Sequence, residues 1–400
     1  MVSFPYGRLV FFCILYGHGC GTIDNASMSE LMADFPQYKG YAVGTVKAYY
    51  GLATATVATI YEAAFPGDKA NFLLFLAVYS GTAGLILTPI MHHTKGIVEE
   101  SRARVLLKFR IVASLVIIFA LFFCILQLNR ESLSQTAWLA VLGVVLCGAA
   151  SPFLLVLDCG GEDCESEQES MAPAPAPHPA DLNIVETITS LNFAVFMSIL
   201  IICQGAGLLL IGNAAQVLAA FAGGHEDATS FVAVISVANA FGRITAGVSS
   251  ESLAGCLDRP ALLGCAACLL AVGYFALYAG GMACLYPAAA LVGFGYGALW
   301  GIQPAMAQDL FGPQDFGLKY SFTALAAFCG SLLFGDLLAG GLYDREQERL
   351  GTTAGCFSHE CFALAFACTS LAAVAAAGLA AWLSCRAAPL YEHFQELQSP

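Results

Sequence analysis

The chain's 400 residues are 58% hydrophobic and 11% charged, at a mean hydropathy of +0.73. An average soluble domain carries about 25% charged residues, so an ordinary soluble enzyme is excluded. The formal net charge of −13 argues against nucleic acid as a partner, because phosphate binding needs clustered Lys and Arg.

Apolar runs of about 20 residues, long enough to cross a hydrocarbon core of roughly 30 Å, recur along the chain. They predict an all-α, multi-pass membrane protein with spans near 8–30, 41–62, 71–91, 106–128, 135–157, 189–211, 228–250, 260–280, 283–306, 318–341 and 360–385. That is about eleven helices, surrounded by membrane lipid. Nothing distinguishes a plasma membrane from an organelle membrane. Most of the 16 cysteines fall inside these runs, as Cys124, Cys147, Cys265 and Cys268 do, and read as small hydrophobes.

The first span opens like a signal peptide, with Arg8 before "LVFFCILYG", but its apolar run is short and no clean small-residue cleavage site follows. Within it "YGHGCGTID" (16–24) sets out alternate glycines, Gly17, Gly19 and Gly21. No Lys or Ser/Thr completes a phosphate loop there and no strand precedes it, so a nucleotide cradle is disfavoured. The sequon Asn25-Ala26-Ser27 lies within the span and is expected to be unused.

Charges inside a bilayer usually face a partner or water. Asp24 lies about six residues from one end of its span, Lys47 about six from the same end of the next, and Arg243 about seven from the end of its own; a rise of 1.5 Å per residue puts each roughly 9 to 10 Å deep. Asp24 and Lys47 are therefore expected to form an intramembrane ion pair. It is either a proton- or substrate-responsive switch or a fixed pair that orders two helices.

Lys95, Arg102, Arg104, Lys108 and Arg110 put the connection at 92–110 in the cytoplasm. By alternation the loops beginning at 31, 158, 251 and 307 are cytoplasmic too, and those at 63, 129, 212 and 342 lie opposite. The acidic "DCGGEDCESEQE" (158–169) and the alternating prolines of "APAPAPHPA" read as a solvated linker. That reading is preferred to a metal site at Cys159 and Cys164.

Farther along, Arg243 and Gly247 are four apart and share a face, with Gly242 and Ala246 offering close helix approach. Tyr296, Trp300 and Gln303 cluster on one face of their helix beside a packing stripe of Gly293, Gly297 and Gly301. Cys356 and Cys361 in "GCFSHEC" are candidates for a disulfide in an oxidising lumen.

An internal echo links the two parts. "LYGHGCGTIDNASMSELMADFPQYKGYAVG" (15–44) aligns with "LVGFGYGALWGIQPAMAQDLFGPQDFGLKY" (291–320), so that Gly17, Gly19, Gly21 and Phe35 fall on Gly293, Gly295, Gly297 and Phe311 at a constant offset of 276. Repeats of this kind build many transporters. Three spans precede the echoed helix in the second part and seven residues in the first, so a symmetric ancestor is expected to have had three more N-terminal helices.

The stretches "FPQYKGYAVGTVKAYYGLA" (35–53), "NAFGRITAGVSSES" (239–252), "GFGYGALWGIQPAMAQDLFG" (293–312) and "LLAGGLYDRE" (337–346) resemble the nodulin-like branch of the major facilitator superfamily. The resemblance implies a six-plus-six helical bundle with extra spans between the halves. It makes 1–92 the remainder of an N-terminal half, with helices four to six; 93–157 two extra helices; 158–185 the linker; 186–387 a complete C-terminal half; and 388–400 a cytoplasmic tail.

The same resemblance implies a central cavity lined by Tyr16, His18, Asp24 and Asn25, by Gln204, Asn213 and Gln216, and by Tyr296, Trp300 and Gln303. Arg243, Gly247, Glu251 and Arg259 loosely match its gating loop motif, whose Asp is replaced here. With Asp24 and Lys47 they make up the gating and charge-pair candidates.

The function implied is secondary active transport of a small polar or anionic solute by alternating access, with proton coupling an open option. The competing readings are a non-transporting receptor or binding partner and an incomplete version of a full transporter. No catalytic constellation, cofactor motif or zinc motif is present in the sequence.

Overall fold

The structure, a computed structural model, describes residues 6–93, 102–129, 132–157, 179–224, 228–351 and 355–398. Among them there is no strand. Cys159, Cys164, Lys95 and most of the acidic and Pro-rich linker lie outside the described residues.

The helices are α1 (Tyr6–Asp34), α2 (Lys39–Ala64), α3 (Lys69–His93), α4 (Arg102–Leu128), α5 (Gln135–Leu157), the short α6 (Ile184–Thr189), α7 (Leu191–Gly212), α8 (Ala214–Ala222), α9 (Thr229–Ser252), α10 (Arg259–Ala279), α11 (Met282–Phe311), α12 (Phe316–Gly330), α13 (Gly341–Leu350) and α14 (Glu360–Gln398). A π-helical stretch, Ser331–Gly340, joins α12 to α13 in one rod. All eleven expected spans are helical. Eight helices among the described residues are long and apolar enough to cross a membrane. α1 and α2 stand outside that group and carry Asp24, Glu30, Lys39 and Lys47. α5 counts only as a shorter apolar helix, Gln135–Gly148.

Helix starts follow their capping chemistry. Asn183 and Glu186 form a reciprocal capping box on α6, Ser190 accepts from Phe193 N at the start of α7, and Asp258 accepts from Ala261 N on α10, where Pro260 fills the first turn. Each satisfies a backbone donor that a helix end leaves open.

Glycines set the closest approaches. Gly293, Gly297 and Gly301 of α11 face the Ile235, Asn239 and Arg243 carbonyls of α9, with room for no more than hydrogen. Gly40, Gly44 and Gly51 of α2 do the same against Gly247, Arg243 and Ala240 of α9, and Gly205 of α7 meets Gly330 of α12. Small residues let backbones pack where lipid provides no hydrophobic drive. The α2–α9 seam is where the two parts of the chain meet.

Two buried clusters flank this frame. The larger joins α7–α14 and takes in Met28 and Met32 of α1 and Val43 of α2; the smaller joins α2, α4, α5 and α9 through Leu52, Val116, Phe123, Trp138 and Ile244. The helices expected to be extra thus brace the seam from one side, and Gln135 Nε2 donates to the Ala63 carbonyl at 2.7 Å.

One expectation needs correcting. The echo of Gly293, Gly295 and Gly297 extends the packing-stripe expectation to Gly17, Gly19 and Gly21, yet a methyl group on any of these three would meet nothing within 4 Å. Their counterparts Gly293, Gly295 and Gly297 are all in close contact. The sequence pattern is repeated; the helix across from it, among the described residues, is present only in the second copy.

Candidate functional site

Near mid-bundle, α1, α2 and α12 bring three polar side chains together. Lys47 Nζ hydrogen-bonds Asp24 Oδ1 as a salt bridge and donates to Tyr320 Oη at 3.1 Å; Tyr320 Oη in turn donates to Asp24 Oδ2 at 3.1 Å. The Lys47 side chain is 2% exposed and that of Asp24 20%. The ammonium also lies 5.2, 5.3 and 5.6 Å from the ring centroids of Tyr50, Trp300 and Tyr320, within the range of cation–π attraction.

The reach of α2 explains the depth. Asp24, Lys47 and Arg243 sit 10, 8 and 9 residues from the ends of their helices at Asp34, Lys39 and Ser252; at 1.5 Å per residue that is roughly 12 to 15 Å. Charges at such depth cost about 2.5 to 3.5 kcal/mol on insertion scales, and removing one member of a buried pair costs about 3 to 5 kcal/mol because its partner is left unpaired. The pair therefore holds together more firmly than either charge alone would allow.

Arg243 completes the cluster from α9. Its Nε donates to Asn239 Oδ1 and its Nη1 to the Lys47 carbonyl, both at 2.9 Å. Its Cζ lies 5.8 Å from the Trp300 ring centroid. Lys47 and Arg243 thus share one indole. The Lys47 carbonyl has a second lone pair beyond its helical bond, which is what a side chain from another helix can use.

Two flanking contacts tie the remaining helices in. Gln204 Nε2 of α7 donates to Gln303 Oε1 of α11 at 2.8 Å, and Asn25 Nδ2 donates to Ser321 Oγ at 2.7 Å. Tyr296 packs on Gly207, where any side chain would collide with its ring, and stands edge-on to Trp300 at 6.2 Å.

A second charged cluster closes the Arg259 end of the bundle. Arg259 Nη1 pairs with Asp309 Oδ2 and Nη2 with Glu251 Oε1 at 2.7 Å; Lys39 Nζ reaches Asp309 Oδ1 at 3.3 Å. Glu251 Oε1 also accepts from Gly40 N, and Tyr391 Oη donates to Asp309 Oδ2 at 3.4 Å. Helices α2, α9, α10, α11 and α14 are all bound into this one network.

Of the expected cavity residues, the structure gathers Asp24, Tyr296, Trp300, Gln204 and Gln303 around mid-bundle, with Asn25 the next residue along α1 and bonded to Ser321. It does not bring in His18, which is exposed, Asn213, which bonds back to the Leu209 carbonyl at the end of α7, or Gln216, exposed on α8. The Tyr16 side chain is outside the described set. Gly247 lies in the seam itself, while Glu251 and Arg259 belong to the end network and Arg243 to mid-bundle.

Six participants escaped sequence reading: Tyr320, Tyr50 and Asn239 at mid-bundle, and Lys39, Asp309 and Tyr391 in the end network. Lys39 and Asp309 left a signal, as charges within quoted stretches, and Asp309 supplies a carboxylate partner for Arg259. The tyrosines and the asparagine carry no such mark.

At the opposite end Cys356 and Cys361 are joined in a disulfide with Cα atoms 6.1 Å apart. Tyr343 Oη accepts from Cys356 N at 2.9 Å, and His359 Nε2 lies 2.8 Å from the Leu277 carbonyl, fastening the loop to α10 and α13.

No curated protein matches the chain. The family model described as nodulin-like matches residues 1–157, and that described as the NFD4 C-terminal domain matches residues 181–392. With apolar helices recurring along its length, the chain belongs to the nodulin-like family of the major-facilitator-like group and is a multi-pass integral membrane protein of transporter-like build.

Proposed function

We propose that this protein is a secondary transporter that moves a small polar or anionic solute by alternating access between its two helical groups. The observation that carries the reading is the buried Asp24–Lys47–Tyr320 cluster, which ties α1 and α2 to α12 across the line where the groups meet. A polar cluster that is fully paired in one arrangement of two bodies is suited to exchange partners in another.

The Arg259 network is the gate in this reading. Lys39 and Gly40 of α2 are bound to Asp309 and Glu251 of the other group, so that end of the bundle is closed when the network forms. Opening it breaks both bonds and separates Gly44 from Gly247.

Uptake by purified protein in liposomes, driven by a solute or pH gradient, tests the proposal. Asp24→Asn and Lys47→Met each leave one buried charge unpaired, so each is expected to lower uptake by about tenfold or more, a barrier change of roughly 1.4 kcal/mol. The double variant removes both charges and is expected to transport better than either single. A double variant no better than the singles removes the case for coupling, and absence of uptake across a broad panel of solutes rejects transport.

One observation favours the reading as a non-transporting binding protein: the glycine face of α1 at Gly17, Gly19 and Gly21 lies open. The liposome assay separates the two directly.

A further inference from the structure

We infer that the cargo is a monovalent organic anion, its carboxylate held by the guanidinium of Arg243 and the indole N–H of Trp300, while Asp24 keeps Lys47 occupied. This rests on the transport reading for the word cargo. The binding site itself does not depend on it.

Charge counting comes first. Mid-bundle holds two cations, Lys47 and Arg243, and one carboxylate, Asp24, which is bound to Lys47. The acids at the Arg259 end, Asp309 and Glu251, are taken up by Arg259 and Lys39. Among the described residues Arg243 has only neutral oxygens as partners, Asn239 Oδ1 and the Lys47 carbonyl. The cluster therefore carries one uncompensated positive charge at a depth where charge is costly.

Hydrogen-bond counting points the same way. Arg243 is 7% exposed and uses Nε and Nη1, leaving further donors on a planar fork that matches a carboxylate. Trp300 Nε1 is buried and, although the Tyr296 hydroxyl is near, has no acceptor in good hydrogen-bond geometry, and an indole N–H has no acceptor role to fall back on. Its ring lies beside Arg243. Two neighbouring groups that only donate, around a net positive charge, call for an acceptor-only anion.

The same count sets the valence. One negative charge brings the cluster to neutrality with Asp24 ionised, whereas a dianion overshoots it. The surrounding rings of Tyr50, Tyr296 and Tyr320 suit an apolar remainder better than a second charge.

The test uses the full chain in detergent with Trp138→Phe and Trp382→Phe, so that Trp300 is the only fluorescent indole. Monocarboxylates from acetate to benzoate are titrated beside their matched amides and amines. The proposal expects saturable change of Trp300 emission with a carboxylate and at least tenfold weaker binding of its amide and amine. Arg243→Lys is expected to weaken carboxylate binding by about tenfold, through loss of the fork, and Arg243→Gln to abolish it.

Equal binding of amide and acid, no binding of any carboxylate, or undiminished binding by Arg243→Gln overturns the proposal. Should Arg243→Gln fail to fold, the acid-to-amide comparison on the parent protein still decides. Carboxylate binding without uptake in liposomes contradicts the transport reading and leaves the anion site standing. Uptake of a neutral or cationic solute, with no carboxylate binding, does the reverse.

Discussion

Tyr320 shows how much a single side chain can organise. Its hydroxyl accepts from Lys47 and donates to Asp24, so it sits in the ring of bonds between three helices. Tyr320→Phe deletes both bonds but leaves the salt bridge and the ring. It is expected to lower the stability of the detergent-purified protein by about 1 to 2 kcal/mol, as one or two net hydrogen bonds do, readable as a fall in melting temperature. An unchanged melt places the tyrosine outside the cohesive part of the cluster. The ion pair itself was legible in the sequence, because charges in apolar runs are rare and equal depth on consecutive helices brings them level. Tyr320 was not, since depth arithmetic fixes height and says nothing about which helix stands opposite.

The echoed glycines make the comparison between elements direct. Gly21 and Gly297 occupy equivalent places in the repeat, but a methyl group meets nothing at the first and lies 2.0 Å from the Asn239 carbonyl at the second. Gly21→Ala is therefore expected to be neutral or to stabilise α1 by up to about 1 kcal/mol through helix propensity. Gly297→Ala must push α11 off α9 and is expected to cost about 1 to 3 kcal/mol or more. Thermal melts of the two variants check this; equal shifts contradict the observed packing. Helices this apolar show no one-sided pattern, so the sequence marked the stripe without revealing whether a neighbour fills it. The same limit hid the seam, where Gly40, Gly44 and Gly51 of α2 fit α9 but read in isolation as scattered glycines.

Across the whole molecule the proposed transport cycle gives the two charged clusters separate tasks. In it the mid-bundle cluster binds the solute, and the Arg259 network closes one end around Asp309. Asp309→Asn leaves Arg259 and Lys39 with one carboxylate, Glu251, between them and is expected to loosen that end. Faster alkylation of a cysteine placed at Ser250, which is buried in the seam, is the readout, and an unchanged rate contradicts the gating role. The helices were legible as apolar runs, eight of them among the described residues long and apolar enough to cross a membrane, yet their partners were not, because lipid-facing and protein-facing surfaces are equally apolar. Long-range charge networks likewise leave no trace in spacing: Lys39, Glu251, Arg259 and Asp309 come from four different helices.

The central claim is that the α2–α9 seam opens and closes during transport. Tyr41 Oη and Ser252 Oγ lie 3.2 Å apart across the seam, so Tyr41→Cys with Ser252→Cys places two thiols that a short, reducible thiol-reactive cross-linker can span without entering the tight glycine contacts. Uptake by liposomes carrying this double variant is to be measured after cross-linking and again after reduction, beside the parent protein treated identically. The account predicts that cross-linking stops uptake and reduction restores it, with the parent unaffected. Full uptake through a cross-linked seam would contradict it.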